Sequence, residues 1–222
     1  MILFVPLIIF AYLLGAVPFG FLIGKAHGKD LRLIGSGNIG ATNATRALGR
    51  KWGVICLLLD VCKGLLPMLL VPLLGLIKQD LESLRLALWL LVGCAAVLGH
   101  VFPVYLKFKG GKGVATSLGI VLGLWPYYTL CGLGVFAIWL VTLLIWRYVS
   151  LSSILAAVSF PVLLLLSILF LDKPWDFVQL WPLMVAAVLM AMLVIARHAE
   201  NIKRLLDGSE PKIMQAKNST DA

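Results

Sequence analysis

Seven stretches of this sequence are almost entirely apolar, and they limit what the chain can fold into. All but the fourth reach the roughly 20 residues that a helix needs to cross a bilayer. Only 13% of the 222 residues are charged, about half the share found in soluble domains. The sequence therefore predicts an all-α integral membrane protein, with apolar stretches at residues 2–24, 53–77, 84–103, 114–125, 127–146, 151–171 and 177–196.

The basic residues predict how the chain is oriented. Most of the 19 lysines and arginines follow the first, third, fifth and seventh stretches, and the positive-inside rule places those segments in the cytoplasm. Because Lys112 and Arg147 then lie on one face, the short fourth stretch either crosses the bilayer itself or forms a re-entrant pair with the fifth. We predict seven transmembrane helices, one of them short, with the N-terminus outside and the C-terminus cytoplasmic. They form one membrane domain over residues 1–213, followed by a disordered tail over 214–222.

Two charged residues lie inside the second apolar stretch. Asp60 and Lys63 share a helical face, and a buried structural ion pair is favoured over a place in the wall of a site. The four cysteines also lie in apolar stretches and lack the spacing of a zinc site. We expect them to pack as small apolar side chains, and we predict no metal and no cofactor.

Segment 107–116 has the sequence KFKGGKGVAT and precedes an apolar helix. Glycine allows close approach to a ligand and leaves its N–H group free to point at it, while the lysines and the helix N-terminus supply positive charge. This combination suits a phosphate group, and a basic interfacial turn is the alternative. The segment is not a Walker A loop, because a glycine follows its last lysine. Its candidate substrate-binding residues are Lys109, Gly110, Gly111, Lys112 and Gly113.

Segment 35–51 places hydroxyl, amide and guanidinium groups among closely spaced glycines. Such a loop can bind phosphate through backbone N–H groups, side-chain amides and the fork of an arginine. An ordinary interfacial linker is the less favoured reading. The candidate residues are Ser36, Asn38, Thr42, Asn43 and Arg46.

Segment 197–213 follows the last apolar stretch and is strongly polar. His198 and Asn201 share one helical face, and a histidine that titrates near neutrality can transfer a proton or bind an anion. A tail that binds lipid headgroups is an equally weighted alternative. Ser150, after the fifth stretch, is predicted to lie on the same membrane face.

Three polar segments on one face predict an enzyme or a transporter for a phosphorylated substrate. A transporter would show inverted repeats and a site near the midplane of the bilayer, and the sequence displays neither. A scaffold that binds anionic lipid would leave segment 35–51 unexplained. The basic residues lie in loops beside apolar stretches, so a membrane surface is the predicted partner and nucleic acid is not.

The segments GSGNIGATNATR, KFKGGKGVAT and RHAENIKRLLDGSEPKI, in this order, resemble the motifs of the bacterial acyl-phosphate:glycerol-3-phosphate acyltransferases of the PlsY family. The resemblance spans essentially the whole chain. It implies transfer of an acyl group from acyl-phosphate to the sn-1 hydroxyl of glycerol 3-phosphate, giving lysophosphatidic acid for phospholipid biosynthesis. It also implies seven spans in the bacterial cytoplasmic membrane, with membrane lipids and the enzyme that supplies acyl-phosphate as partners.

The resemblance implies residue roles as well. Ser36, Arg46, His198 and Asn201 match catalytic positions, the glycine loop matches a site for glycerol 3-phosphate, and Glu200 matches a structural glutamate. Acyl-phosphate is already activated, so no covalent enzyme intermediate is expected. Two roles stay open for His198, which either acts as general base or holds a phosphate. The H-x4-D box of another acyltransferase class is absent from the sequence.

Overall fold

The computed structural model of the protein describes residues 1–77, 83–170 and 177–213. Within these residues the chain is helical, with short loops and two 3-10 turns, which agrees with the all-α prediction. The predicted disordered tail, 214–222, lies outside the described residues. The α-helices are α1 (Phe4–Ala16), α2 (Phe19–Ala26), α3 (Ala41–Leu48), α4 (Arg50–Leu73), α5 (Ser83–Val101), α6 (Val114–Gly123), α7 (Tyr127–Trp146), α8 (Val149–Phe170), α9 (Phe177–Arg197) and α10 (Ala199–Leu206).

Six helical parts of the described chain are long and apolar enough to cross a membrane. They are α1 continued by α2, then α4, α5 with the following 3-10 turn, α7, α8 and α9. Helix α6 corresponds to the predicted short stretch. With ten residues it is about 15 Å long, half the thickness of a hydrocarbon core of about 30 Å.

Glycines let neighbouring helices touch through their backbones. A Cβ atom added at Gly15 or Gly99 would collide with backbone atoms across the α1–α5 contact. The same holds for Gly64 and Gly119 where α4 meets α6. Small residues at such crossings are the usual means of packing helices in a bilayer. The short α6 is thereby held against a full-length helix.

Buried aromatic side chains satisfy backbone carbonyl groups of neighbouring helices. Trp89 Nε1 donates to the Met68 carbonyl at 2.9 Å, which lacks its usual helical donor because Pro72 has no N–H. Tyr128 donates its hydroxyl to the Leu183 carbonyl at 2.6 Å. These bonds tie α4 to α5 and α7 to α9.

The predicted ion pair is present inside the helix bundle. Lys63 Nζ lies 2.8 Å from Asp60 Oδ1, and both side chains are almost fully buried. Lys63 also donates to the Val17 carbonyl at 2.9 Å, at the break that Pro18 introduces between α1 and α2. The four cysteines are free thiols. Cys56 and Cys131 pack in the core as predicted, whereas Cys94 is only partly buried and Cys62 is exposed.

Candidate active site

The first polar segment is a compact loop that Asn43 holds together. This side chain is only 2% exposed, and its Nδ2 lies 2.8–3.0 Å from the carbonyl oxygens of Leu31, Ile34 and Asn38. Its Oδ1 accepts from the N–H of Ser36 at 3.2 Å. We predicted that Asn43 binds substrate, but its polar atoms are committed to the loop itself. Its structural role is to shape the loop.

The other candidates of this segment are arranged around that loop. Asn38 Oδ1 accepts from the N–H of Gly40 at 2.8 Å, which forms the turn leading into α3. Ser36 is exposed before the turn, and Thr42 lies half-buried in the first turn of α3. The hydroxyl of Ser36 is therefore the accessible one, while Asn38 is engaged in the turn.

The second segment forms a tight turn against the end of α5. The N–H groups of Gly110 and Gly111 donate to the carbonyls of Val101 at 3.2 Å and His100 at 3.0 Å. A Cβ atom at either glycine would collide with atoms of His100. We expected these N–H groups to be free for a phosphate, and that expectation is wrong for both. The two glycines serve close packing against α5.

The end of α9 fixes the other side of this turn. Arg197 donates from Nε to the Gly111 carbonyl at 3.4 Å and from Nη2 to the Gly110 carbonyl at 3.3 Å. Gly113 has a φ of +86°, a left-handed conformation that favours glycine, and it precedes α6. Lys109 lines a surface cavity of about 300 Å³ that is shared with Arg32, Tyr105, Leu106 and Lys107.

A chain of hydrogen bonds joins the second segment to the third. Lys112 Nζ donates to Asn201 Oδ1, and Asn201 Nδ2 donates to Glu210 Oε1 at 2.7 Å. The same Oε1 accepts from the Ser150 hydroxyl at 2.7 Å, and Glu210 Oε2 accepts from Arg204 Nε at 2.7 Å. Of the predicted site residues, Asn201 and Ser150 therefore bind one buried carboxylate directly, and Lys112 is linked to it through Asn201.

Burial and charge shift the pKa values in this cluster. Burial lowers the pKa of the Lys112 ammonium to about 8, although the Glu210 carboxylate acts in the opposite direction. Burial tends to raise the pKa of Glu210, but hydrogen bonds from Ser150, Arg204 and Asn201 outweigh it and hold the pKa below its usual value. Glu210 is therefore a carboxylate at neutral pH, whereas Lys112 titrates close to physiological pH.

His198 is buried at the junction of α9 and α10, with 3% of its surface exposed. Its Nδ1 lies 2.7 Å from the Val194 carbonyl, which can only accept, so Nδ1 carries the proton and Nε2 is left with a lone pair. Burial lowers the pKa of His198 to about 4, against the hydrogen bond to Val194, and the charge of Lys112 lowers it further. The ring is neutral at neutral pH.

Two glutamates of the third segment have opposite environments. The side chain of Glu200, which we predicted to be structural, is 88% exposed and lies 3.9 Å from Arg204. Glu210 is only 8% exposed and accepts three side-chain hydrogen bonds. The contacts thus give the structural role to Glu210, a residue that sequence reasoning missed although it lies within segment 197–213. Helical periodicity cannot reveal it because Glu210 follows the end of α10.

The segment after α10 also reaches the first polar segment. Arg46, exposed on α3, donates to the Pro211 carbonyl at 3.3 Å. Further along, the N–H of Ile213 donates to the Arg147 carbonyl at 2.8 Å, at the start of α8. All three polar segments and the loop before α8 therefore meet on one face of the helix bundle, as the basic residues predicted.

Comparison with known proteins identifies the family. The family model described as glycerol-3-phosphate acyltransferase matches residues 5–208. The chain belongs to the glycerol-3-phosphate acyltransferase family. A relative of that name from Aquifex aeolicus is 46% identical over 208 residues, covering 92% of this chain and 96% of its own. One from Geotalea daltonii is 45% identical over 207 residues, covering 93% and 95%.

Solved structures of the family share the fold. The crystal structure of PlsY, an integral membrane glycerol 3-phosphate acyltransferase, in its glycerol 3-phosphate form superposes with a TM-score of 0.80 at 42% identity, covering 95% of both chains. The lysophosphatidic acid form gives a TM-score of 0.77 at the same identity. The family resemblance is confirmed, and so is an all-α integral membrane fold.

Proposed function

We propose that this protein transfers a fatty acyl group from acyl-phosphate to the sn-1 hydroxyl of glycerol 3-phosphate, releasing lysophosphatidic acid and phosphate. The observation that carries this proposal is the convergence of Lys112, Asn201 and His198 from two distant segments at one face of the bundle. Family membership supports glycerol 3-phosphate as the acceptor. The choice of acyl-phosphate as donor rests on the motif resemblance and on the charge of the site.

The cations of the site suit a reaction between two phosphate-bearing molecules. Lys112 offers a partly desolvated ammonium, and Arg46 adds a guanidinium from the neighbouring segment. Each forms charge-assisted hydrogen bonds with phosphate oxygens, which are stronger where water is excluded. Lys112 is proposed as the clamp for glycerol 3-phosphate, with Ser36 and Arg46 orienting the donor.

The proposed reaction needs no covalent enzyme intermediate because acyl-phosphate is a mixed anhydride. The glycerol hydroxyl oxygen attacks the acyl carbon and forms the ester bond. The bond from that carbon to the phosphate oxygen breaks, and phosphate leaves with the electron pair. Placing the two substrates side by side supplies much of the rate.

The proton of the hydroxyl must leave during this attack. With a pKa near 4, His198 is a weak base, because an effective base has a pKa near the working pH. We therefore assign the proton to the departing phosphate. The Nε2 lone pair of His198 accepts a hydrogen bond from the attacking hydroxyl and orients it.

We also propose seven crossings with a cytoplasmic C-terminus. Lys112 before α6 and Ser150 after α7 are joined through Asn201 and Glu210, so the chain leaves and returns to one face through α6 and α7. A 20-residue helix such as α7 crosses the whole bilayer, so α6 and the residues that flank it must make the opposite crossing. The protein then forms one membrane domain in the bacterial cytoplasmic membrane, and its acyl donor reaches the site from lipid.

Purified protein in lipid nanodiscs, supplied with palmitoyl-phosphate and glycerol 3-phosphate, tests the proposal. We expect lysophosphatidic acid and phosphate in a one-to-one ratio, and an intact protein mass that acyl-phosphate alone does not change. Accumulation of unmodified glycerol 3-phosphate in proteoliposomes, without any product, would support a transporter and contradict the proposal. An acyl-protein adduct would contradict direct transfer.

A further inference from the structure

A cluster of buried ionisable groups lies beneath the glycine turn, and the proposed reaction does not use it. Asp60 and Lys63 on α4 are each 2% exposed, and His100 on α5 is 5% exposed. Charges at this depth are costly and usually serve a purpose inside a membrane protein.

One edge of the His100 ring faces the ion pair. His100 Nδ1 faces Asp60 Oδ1 at 3.7 Å, and Asp60 is in turn fixed by Lys63. Lys63 is anchored by its bond to the Val17 carbonyl. Lys63 thus attaches the ion pair to the break between α1 and α2. The Asp60 carboxylate lies on the other side of the pair and faces His100.

The opposite edge of the ring lies against the glycine turn. A Cβ atom at Gly111 would collide with His100 Nε2 and would lie 2.6 Å from Cε1. The backbone of the same two residues is joined by the bond from the Gly111 N–H to the His100 carbonyl at 3.0 Å. The imidazole therefore occupies the space that a side chain at position 111 would need.

The turn is consequently held from two sides. His100 supports Gly111 from within the bundle, and Arg197 binds the Gly111 carbonyl at 3.4 Å. Lys112 is the next residue, so the path of its side chain toward Asn201 depends on the backbone that His100 supports. A displacement of that backbone would move the ammonium away from the phosphate.

We propose that Asp60, Lys63 and His100 form a positioning unit that sets the glycine turn, and through it Lys112, for the phosphate of glycerol 3-phosphate. None of the three touches substrate. The identity of the ligand, glycerol 3-phosphate, rests on the proposed function. The proposal gives three residues buried in the helix bundle a part in the affinity for this ligand.

A double-mutant cycle tests direct support of Gly111 by His100. His100→Asn keeps a polar atom toward Asp60 but removes the part of the ring that lies under the turn. We expect Gly111→Ala alone to weaken the binding of glycerol 3-phosphate about tenfold or more, and His100→Asn alone to weaken it about threefold. The double variant should bind no worse than Gly111→Ala, because the added methyl group then has room.

The affinity is measured by calorimetric titration of glycerol 3-phosphate without any acyl donor, so an incorrect donor assignment would not affect the result. The melting temperature of each variant is recorded in the same detergent. In turnover, the variants should raise KM for glycerol 3-phosphate and leave kcat within about twofold. Losses that multiply in the double variant would overturn the proposal, as would an unaltered affinity in Gly111→Ala.

The ion pair is tested by replacing both of its members. Asp60→Asn with Lys63→Met leaves no unpaired charge, and exchanges of this kind are often tolerated in folded proteins. We expect a folded protein with an affinity for glycerol 3-phosphate reduced to about that of His100→Asn. An affinity equal to that of the unmodified protein would exclude the pair from the unit. His27→Ala is the control, at an exposed histidine that directly follows α2. This variant should bind glycerol 3-phosphate with the affinity of the unmodified protein.

Discussion

At the scale of single residues, Lys112 determines the electrostatics of the site. It is half-buried, donates to Asn201 and has a pKa of about 8. A lysine so placed can bind a phosphate strongly and can also lose its charge within the physiological range. Two measurable consequences follow for the binding of substrate.

Lys112→Ala should raise KM for glycerol 3-phosphate by about tenfold to a hundredfold, because a charge-assisted hydrogen bond is lost. Initial rates at varied glycerol 3-phosphate measure this change. Lys203→Ala, at an exposed lysine on α10, is the control and should leave KM as it is. An unchanged KM in Lys112→Ala would contradict the role of this lysine as clamp.

The pH dependence of KM should report the same group. As the pH rises through about 8, the free enzyme loses the charge of Lys112, so KM for glycerol 3-phosphate should increase on the alkaline side. Lys112→Arg stays charged at every accessible pH, and its KM should show no such increase. If both proteins lose affinity equally above pH 8, another group is titrating.

His198→Gln should lower kcat/KM by about tenfold, the effect of weakening one hydrogen bond to the reacting hydroxyl. Because the pKa of His198 is about 4, the shape of the pH–rate profile between pH 6 and 8 should be the same in both proteins. A profile that loses its acidic limb in the variant would make His198 the general base.

The sequence predicted which polar segments meet at this face, but not every contact that their residues make there. Lys112, Asn201 and Ser150 could be found because their segments are polar where the surrounding chain is apolar. The roles of Asn43 and Glu210 could not be predicted. Asn43 binds carbonyl groups up to 12 residues away, and Glu210 lies in a segment that folds back after α10 to reach Ser150, 60 residues away in sequence. The burial of a polar side chain is decided by such contacts, which no local pattern contains.

At the scale of elements, the segment after α10 closes the site. It places Glu210 between α8 and α10 and brings Pro211 to Arg46 on α3. The long helices could be predicted from apolar length alone. Two other features could not be predicted in this way. The break at Pro18 is held by Lys63 on α4, and the return of the last segment is held by Ser150 on α8.

Glu210→Gln should lower the melting temperature by about 5 °C, because three donors lose their anionic partner. Glu200→Gln, at the exposed glutamate of the same segment, should leave it unchanged. Since the pKa of Glu210 is lowered, its contribution to stability is present at neutral pH and lost as the pH falls through the folded-state pKa. The two variants should therefore converge in acid, and equal melting temperatures at pH 7 would contradict this role.

At the scale of the whole molecule, the account requires α6 to cross the bilayer despite its length. Contact with α4 at Gly64 and Gly119 covers one side of it with protein. Its far end leads to Trp125, which is 63% exposed before α7. The position of that residue decides between seven crossings and six.

Cysteine labelling in cells measures this position. In a variant with the four native cysteines replaced, Trp125→Cys should react with a membrane-impermeant maleimide in intact cells. Lys109→Cys, at an exposed residue before α6, should react only after the cells are opened. Labelling of both positions under the same condition would place the two ends of α6 on one face and remove that crossing.

The identity of the acyl donor is the central claim for the whole molecule. The most direct measurement supplies purified protein with labelled glycerol 3-phosphate and either palmitoyl-phosphate or palmitoyl-CoA at equal concentration, and follows lysophosphatidic acid. The account predicts product with palmitoyl-phosphate, one phosphate released per product, and none with palmitoyl-CoA. Product from palmitoyl-CoA and none from palmitoyl-phosphate would contradict it.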